Sequence, residues 1–134
     1  MAGKSKIEFF GSTELLKKLE EAGGNVEEAI ITAIRKSAVK PSNEMLGFIR
    51  QHKHSGRTED SFTEEIKSKD GVITAEFGFS VRKGGLPALF HNLGTPRKAP
   101  PASWFIDNAV ESNIDEIIAE QNKALLESFR ELTN

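Results

Sequence analysis

Between Phe62 and Val81 the residue pattern leaves little choice of structure. After Asp70-Gly71, the residues Ile73, Ala75, Phe77, Phe79 and Val81 alternate with Val72, Thr74, Glu76, Gly78 and Ser80. Successive side chains of a strand point to opposite faces, so this period of two predicts a strand with one face buried and the other mostly wet. Asp-Gly is the dipeptide that a tight two-residue hairpin turn favours. The run ending at Lys69, with Phe62 and Ile66 on one side, is therefore the antiparallel partner.

Upstream the period changes. Lys6–Phe10 is a short apolar run before Gly11 and predicts a strand, with residues 1–5 frayed. Ser12 or Thr13 can cap a helix over Thr13–Ala22 that carries Leu15, Leu16 and Leu19 and ends at Gly23-Gly24. Asn25 can cap the next one. Its stripe of Val26, Ala29, Ile30, Ala33, Ile34 and Ala38 continues with Met45, Phe48 and Ile49 at helical spacing. Pro41 lacks a backbone donor and predicts a kink or break near Val39–Lys40. The alanines predict a close approach to a neighbouring element. His52–Asp60 is polar and reads as a loop.

Downstream, Arg82-Lys83-Gly84-Gly85 ends the sheet. Pro87–Leu93 reads as strand-like, with Leu89, Phe90 and Leu93 adding to the sheet. Gly94–Pro101 reads as loop, and Gly94 suits a sharp turn before Thr95. Ser103 is a candidate cap for a final helix over Trp104–Leu132, whose stripe includes Phe105, Ile106, Ala109, Leu125, Phe129 and Leu132. Such a helix would be roughly 40 Å long, against about 30 Å for a domain of this size. Its end would overhang the body, and Leu125, Phe129 and Leu132 would need a partner.

The expected fold class is α+β: a small antiparallel sheet with a kinked central helix and a long C-terminal helix packed on it. The 134 residues suit one domain, with mobile loops at about 50–60 and 82–88. With no cysteine, disulfide and thiolate chemistry are excluded. No apolar run approaches the roughly 20 residues of a membrane span, which predicts a soluble product made in the cytosol with no membrane partner.

Charge is informative in its distribution. The net charge of −2 gives no global case for nucleic acid. Yet Arg50, Lys53 and Arg57, and then Arg82, Lys83, Arg97 and Lys98, fall in two loop stretches, while the last helix is acidic. Basic loops and an acidic helix suit head-to-tail contacts between copies, or loops turned towards phosphates. His52 and His54, with Glu59 or Asp60, are a weak metal pattern among cations, and no metal or cofactor is expected. The chain shows no glycine-rich phosphate loop, and Ser, His and Asp occur without catalytic spacing. An enzyme is not expected.

Three short segments occur in a telling order: Ser55-Gly56-Arg57-Thr58-Glu59-Asp60-Ser61-Phe62 before the hairpin, then Phe90-His91-Asn92-Leu93-Gly94-Thr95, then Pro101-Ala102-Ser103-Trp104-Phe105. This arrangement resembles a family of small tailed-bacteriophage proteins described as head–tail joining, neck, tail-completion or minor tail components. Asn92 stands where that family usually has Glu, Thr58 where Leu is usual, and Ser103-Trp104 where Arg-Pro is usual. The resemblance implies a non-enzymatic virion structural protein, acting in assembly at the connector as a neck component or tail terminator. It implies a homo-oligomeric ring of six- or twelve-fold symmetry between a head-completion or connector protein and the tail tube, with DNA passing through the channel. Structural roles are expected for Gly56, Asp70, Gly71, Gly94, Thr95, Pro101, Trp104 and Phe105. Arg50, Lys53, Arg57, Arg82, Lys83, Arg97, Lys98, Leu125, Phe129 and Leu132 are the candidate contact residues. Two alternatives stand beside it: a nucleic-acid-binding accessory module using the basic loops, and a small hydrolase using His52, His54 or His91.

Overall fold

The structure is a computed structural model that describes residues 4–52, 56–94 and 103–133, apart from the Val81 side chain. The elements run β1 (Lys4–Glu8), α1 (Thr13–Glu21), α2 (Val26–Ser37), α3 (Val39–Gln51), α4 (Arg57–Asp60), β2 (Phe62–Lys69), β3 (Val72–Phe79), α5 (Leu86–Leu93) and α6 (Ile114–Thr133). The strands form one sheet in the order β1-β3-β2, so the fold is α+β.

The hairpin is where the alternation puts it. Asp70 at φ 53° and Gly71 at φ 79° supply the two left-handed residues of its turn. β3, however, is covered on both faces: Thr74 and Gly78 are buried along with Ile73, Ala75, Phe77 and Phe79. Small side chains at 74 and 78 let chain approach the face that was expected to be wet. The central helix is kinked as Pro41 predicts: α2 ends at Ser37, Ala38 caps it with αR backbone angles, and α3 continues from Val39.

Contacts gather the chain into two units. The first comprises Met1–Lys6, Lys40–Glu65 and Glu76–Asn113. Its buried apolar residues include Met45, Ile49, Phe77, Phe79, Ala88 and Ile106. Ser5, expected to be frayed, is in β1 and donates its hydroxyl to the Ile106 carbonyl. Asn113 donates to Glu44 Oε2 and to the Ala109 carbonyl, both at 2.8 Å.

The second unit comprises Ile7–Val39, Ile66–Ala75 and Ile114–Asn134. The hydroxyl of Ser12 caps α1 at Leu15 N, the side chain of Asn25 caps α2 at Glu28 N, and Gly23 at φ 87° ends α1. α6 packs on α2 and α1, and the buried Ala29 and Ala33 permit that approach. Gln121 on α6 is fully buried and satisfied: its amide donates to the Glu8 carbonyl at 3.0 Å and to Ser37 Oγ at 3.2 Å, and its oxygen accepts from Phe10 N at 2.6 Å.

Several expectations are corrected. β1 spans Lys4–Glu8 rather than Lys6–Phe10. Residues 57–60 form a helical turn opened by Gly56 at φ 84°, rather than a loop. Pro87–Leu93 is helical, because Pro87 sits in the first turn where its missing N–H costs nothing. The last helix starts at Ile114, not Trp104: Trp104 has φ 57°, outside the helical region, and turns and a 3₁₀ segment fill the interval to Asn113. Leu125 has its partners within the chain, being buried with Leu19 and Ala29, and Phe129 packs on the same cluster. Leu132 remains 45% exposed. Among the described residues no helix is long and apolar enough to cross a membrane.

Candidate interaction surface

Two of the basic stretches meet in the first unit. Thr58 on α4 donates its hydroxyl to the Gly84 carbonyl at 3.3 Å, and a side chain at Gly84 would lie 3.4 Å from the Arg57 carbonyl oxygen. This contact brings the backbone of Arg57 beside the turn that carries the exposed Arg82 and Lys83. Arg50 is set apart from them electrostatically, because its Nε donates to Glu59 Oε1 at 2.6 Å. Lys53, His54, Arg97 and Lys98 lie outside the described residues, as do Thr95 and Pro101.

A cluster of aromatic rings joins α3 to α5. Phe48 stacks on Phe105 at 4.2 Å between ring centroids and on His52 at 4.4 Å, and His52 lies 4.7 Å from His91. His52 Nδ1 is 2.8 Å from the Phe48 carbonyl oxygen, so in the neutral ring the proton sits on Nδ1. Among the described residues, no group of three His, Cys, Asp or Glu side chains could hold a metal ion. Phe105 thus packs on α3 through Phe48, not as the first turn of the last helix.

Asn92 fixes the geometry around α5. It is fully buried, and its side-chain oxygen accepts from Ile106 N at 2.8 Å and from Asp107 N at 3.2 Å. Ser103 N and Trp104 N donate to the carbonyls of His91 and Asn92, and Ser103 Oγ donates to the His91 carbonyl as well. Ser103 therefore ties two segments together rather than capping a helix. With Ala88 and Asn92 turned inward, α5 presents Leu86, Phe90 and Leu93 outward at spacings of four and three residues, 44–45% exposed. Trp104, hydrogen-bonded to the end of α5, is 45% exposed as well. Three large apolar side chains on one helix face, with Trp104 bonded through its backbone to the end of that helix, are more than scattered surface residues.

The second unit carries a cavity of about 290 Å³ between α1, α2 and α6. Leu19 and Ala29 form its apolar floor, and Gly24 and Leu132 its side. Gly24 is required there: a side chain would lie 2.6 Å from Leu132 Cδ1 and 2.8 Å from Leu19 Cγ. The rim holds Glu28, Glu127 and Glu131 against Lys36. Lys36 Nζ donates to Glu127 Oε2 at 3.0 Å, and that hydrogen bond holds the Glu127 carboxyl below its ordinary value.

No protein-family model, curated protein or solved structure matches the chain.

Of the candidate contact residues, Arg57, Arg82 and Lys83 share one neighbourhood, Leu132 lines the cavity, and Leu125 and Phe129 belong to the interior cluster. The α5 ridge, Asn92 and the His52–His91 contact were missed. The signal for the ridge was present in the spacing of Leu86, Phe90 and Leu93, with Pro87 as a first-turn residue.

Proposed function

We propose that this chain is a non-enzymatic structural component of a tailed-phage virion, a neck or tail-completion protein that self-associates and joins the head connector to the tail. The observation that carries the reading is the occurrence, in order, of the three short segments Ser55–Phe62, Phe90–Thr95 and Pro101–Phe105. The described parts of the second and third are bonded to each other: Asn92 holds Ile106 just past the third segment, and the second segment accepts from Ser103 and Trp104. The exposed ridge Leu86, Phe90, Leu93 and Trp104 supports an assembly role, since a ring requires apolar surface that only a partner covers.

Electron microscopy of particles made without this protein tests the reading. Filled heads without tails beside free finished tails are expected, and over-long tails would identify a terminator within the same reading. Complete, infectious virions would refute it.

The convergence of Arg57 with Arg82 and Lys83 favours a second reading, a nucleic-acid-binding module. A DNA affinity that falls steeply with salt, in a protein dispensable for virion assembly, would select it.

A further inference from the structure

The ridge is apolar and flanked by cations, and the cavity has an apolar floor and a mostly acidic rim. We propose that the α5 ridge of one copy docks, head to tail, in the α1–α2–α6 cavity of a second copy. This inference rests on the reading of the chain as self-assembling and specifies which faces meet.

The ridge offers apolar side chains in a basic setting. Leu86, Phe90 and Leu93 project from α5, Trp104 stands beside its C-terminal end, and the exposed Arg82 and Lys83 precede it. From Arg82 to Gly94 the chain has no Asp or Glu, while the exposed Asp107 lies three residues beyond Trp104 with its N–H on Asn92. The cavity offers an apolar floor in an acidic setting, with a single Lys36 against Glu28, Glu127 and Glu131. At about 290 Å³ it is at the small end for a ligand site, and suits one aromatic anchor better than a cofactor. An aromatic anchor in an apolar pocket, ringed by opposite charges, is the usual make-up of a protein–protein hot spot.

Trp104 adds an independent observation. A bulky residue with φ 57° adopts a conformation that L side chains disfavour, and Trp104 is at the same time 45% exposed. Backbone strain of this kind clusters at functional sites, ligand clamps among them. Because the two faces differ, each docking leaves a ridge and a cavity open, and the contact repeats from copy to copy.

Sedimentation of the full chain, of Phe90→Asp, of Leu132→Asp and of their equimolar mixture tests the proposal. Both substituted side chains are 45% exposed, and thermal melts monitored by circular dichroism verify that each variant folds. The wild-type chain is expected to grow beyond dimers with concentration. Each variant alone should be monomeric, and the mixture should stop at a heterodimer, because it retains a single working ridge and a single working cavity. A charge-only pair removes any ambiguity from misfolding: Lys83→Glu and Glu131→Lys each weaken assembly several-fold, and the double variant recovers it. Assembly of either apolar variant like wild type, or a mixture that stays monomeric, would overturn this interface while leaving self-assembly standing. A wild-type chain that is monomeric at every concentration would overturn both.

Discussion

The side-chain oxygen of Asn92 accepts the backbone N–H of Ile106 at 2.8 Å, and both residues are fully buried. That bond, with a second from Asp107 N, anchors the chain after Trp104 to the end of α5. Asn92→Leu removes the acceptor and leaves buried donors unmatched, which costs about 1–3 kcal/mol per group. Urea unfolding is expected to show a loss of at least about 2 kcal/mol. Asn92→Asp keeps an acceptor in place and should lose less.

Trp104 separates stability from association. Relief of its left-handed backbone by Trp104→Gly, worth about 1–2 kcal/mol, is expected to offset much of the lost packing and the added chain entropy, so that monomer stability changes little while self-association weakens. Chemical denaturation and sedimentation read the two effects separately. A large loss of monomer stability would show that the indole is a packing residue.

How much of this was legible in the sequence depended on whether the deciding interaction was local. The hairpin, the caps at Ser12 and Asn25 and the kink before Pro41 rest on neighbouring residues, and all were readable. α5 and the start of α6 were not. The apolar content of Leu86–Leu93 fits strand or helix equally, and Asn92 decides the path of Ile106 and Asp107 from fourteen and fifteen residues away. The same holds for the candidate site. The basic stretches were visible as composition, but the Thr58–Gly84 contact that joins two of them is tertiary.

Leu125 and Leu132 lie seven residues apart on α6 and should behave oppositely. Leu125→Ala opens a cavity beside Leu19 and Ala29 and is expected to cost about 2–5 kcal/mol of folding stability. Leu132→Ala, at a 45% exposed position, should shift the unfolding midpoint little and act on association instead.

The Lys36–Glu127 pair gives a pH signature. Lys36 holds the Glu127 carboxyl below the ordinary 4.5. A depressed carboxylate contributes stability that is present above its unfolded value and lost as pH falls through the folded value. The pair is exposed, so the effect is small and salt-sensitive. The unfolding midpoint should fall between neutral pH and the region below 4.5, and Glu127→Gln should reduce that fall. An unchanged profile in Glu127→Gln would show that the bridge contributes nothing in solution.

The most direct test of the structural role is the protein content of purified virions, measured by quantitative mass spectrometry against the major capsid protein. The chain is expected in every particle, in a fixed number of copies consistent with one ring. Its absence from infectious virions would contradict the account.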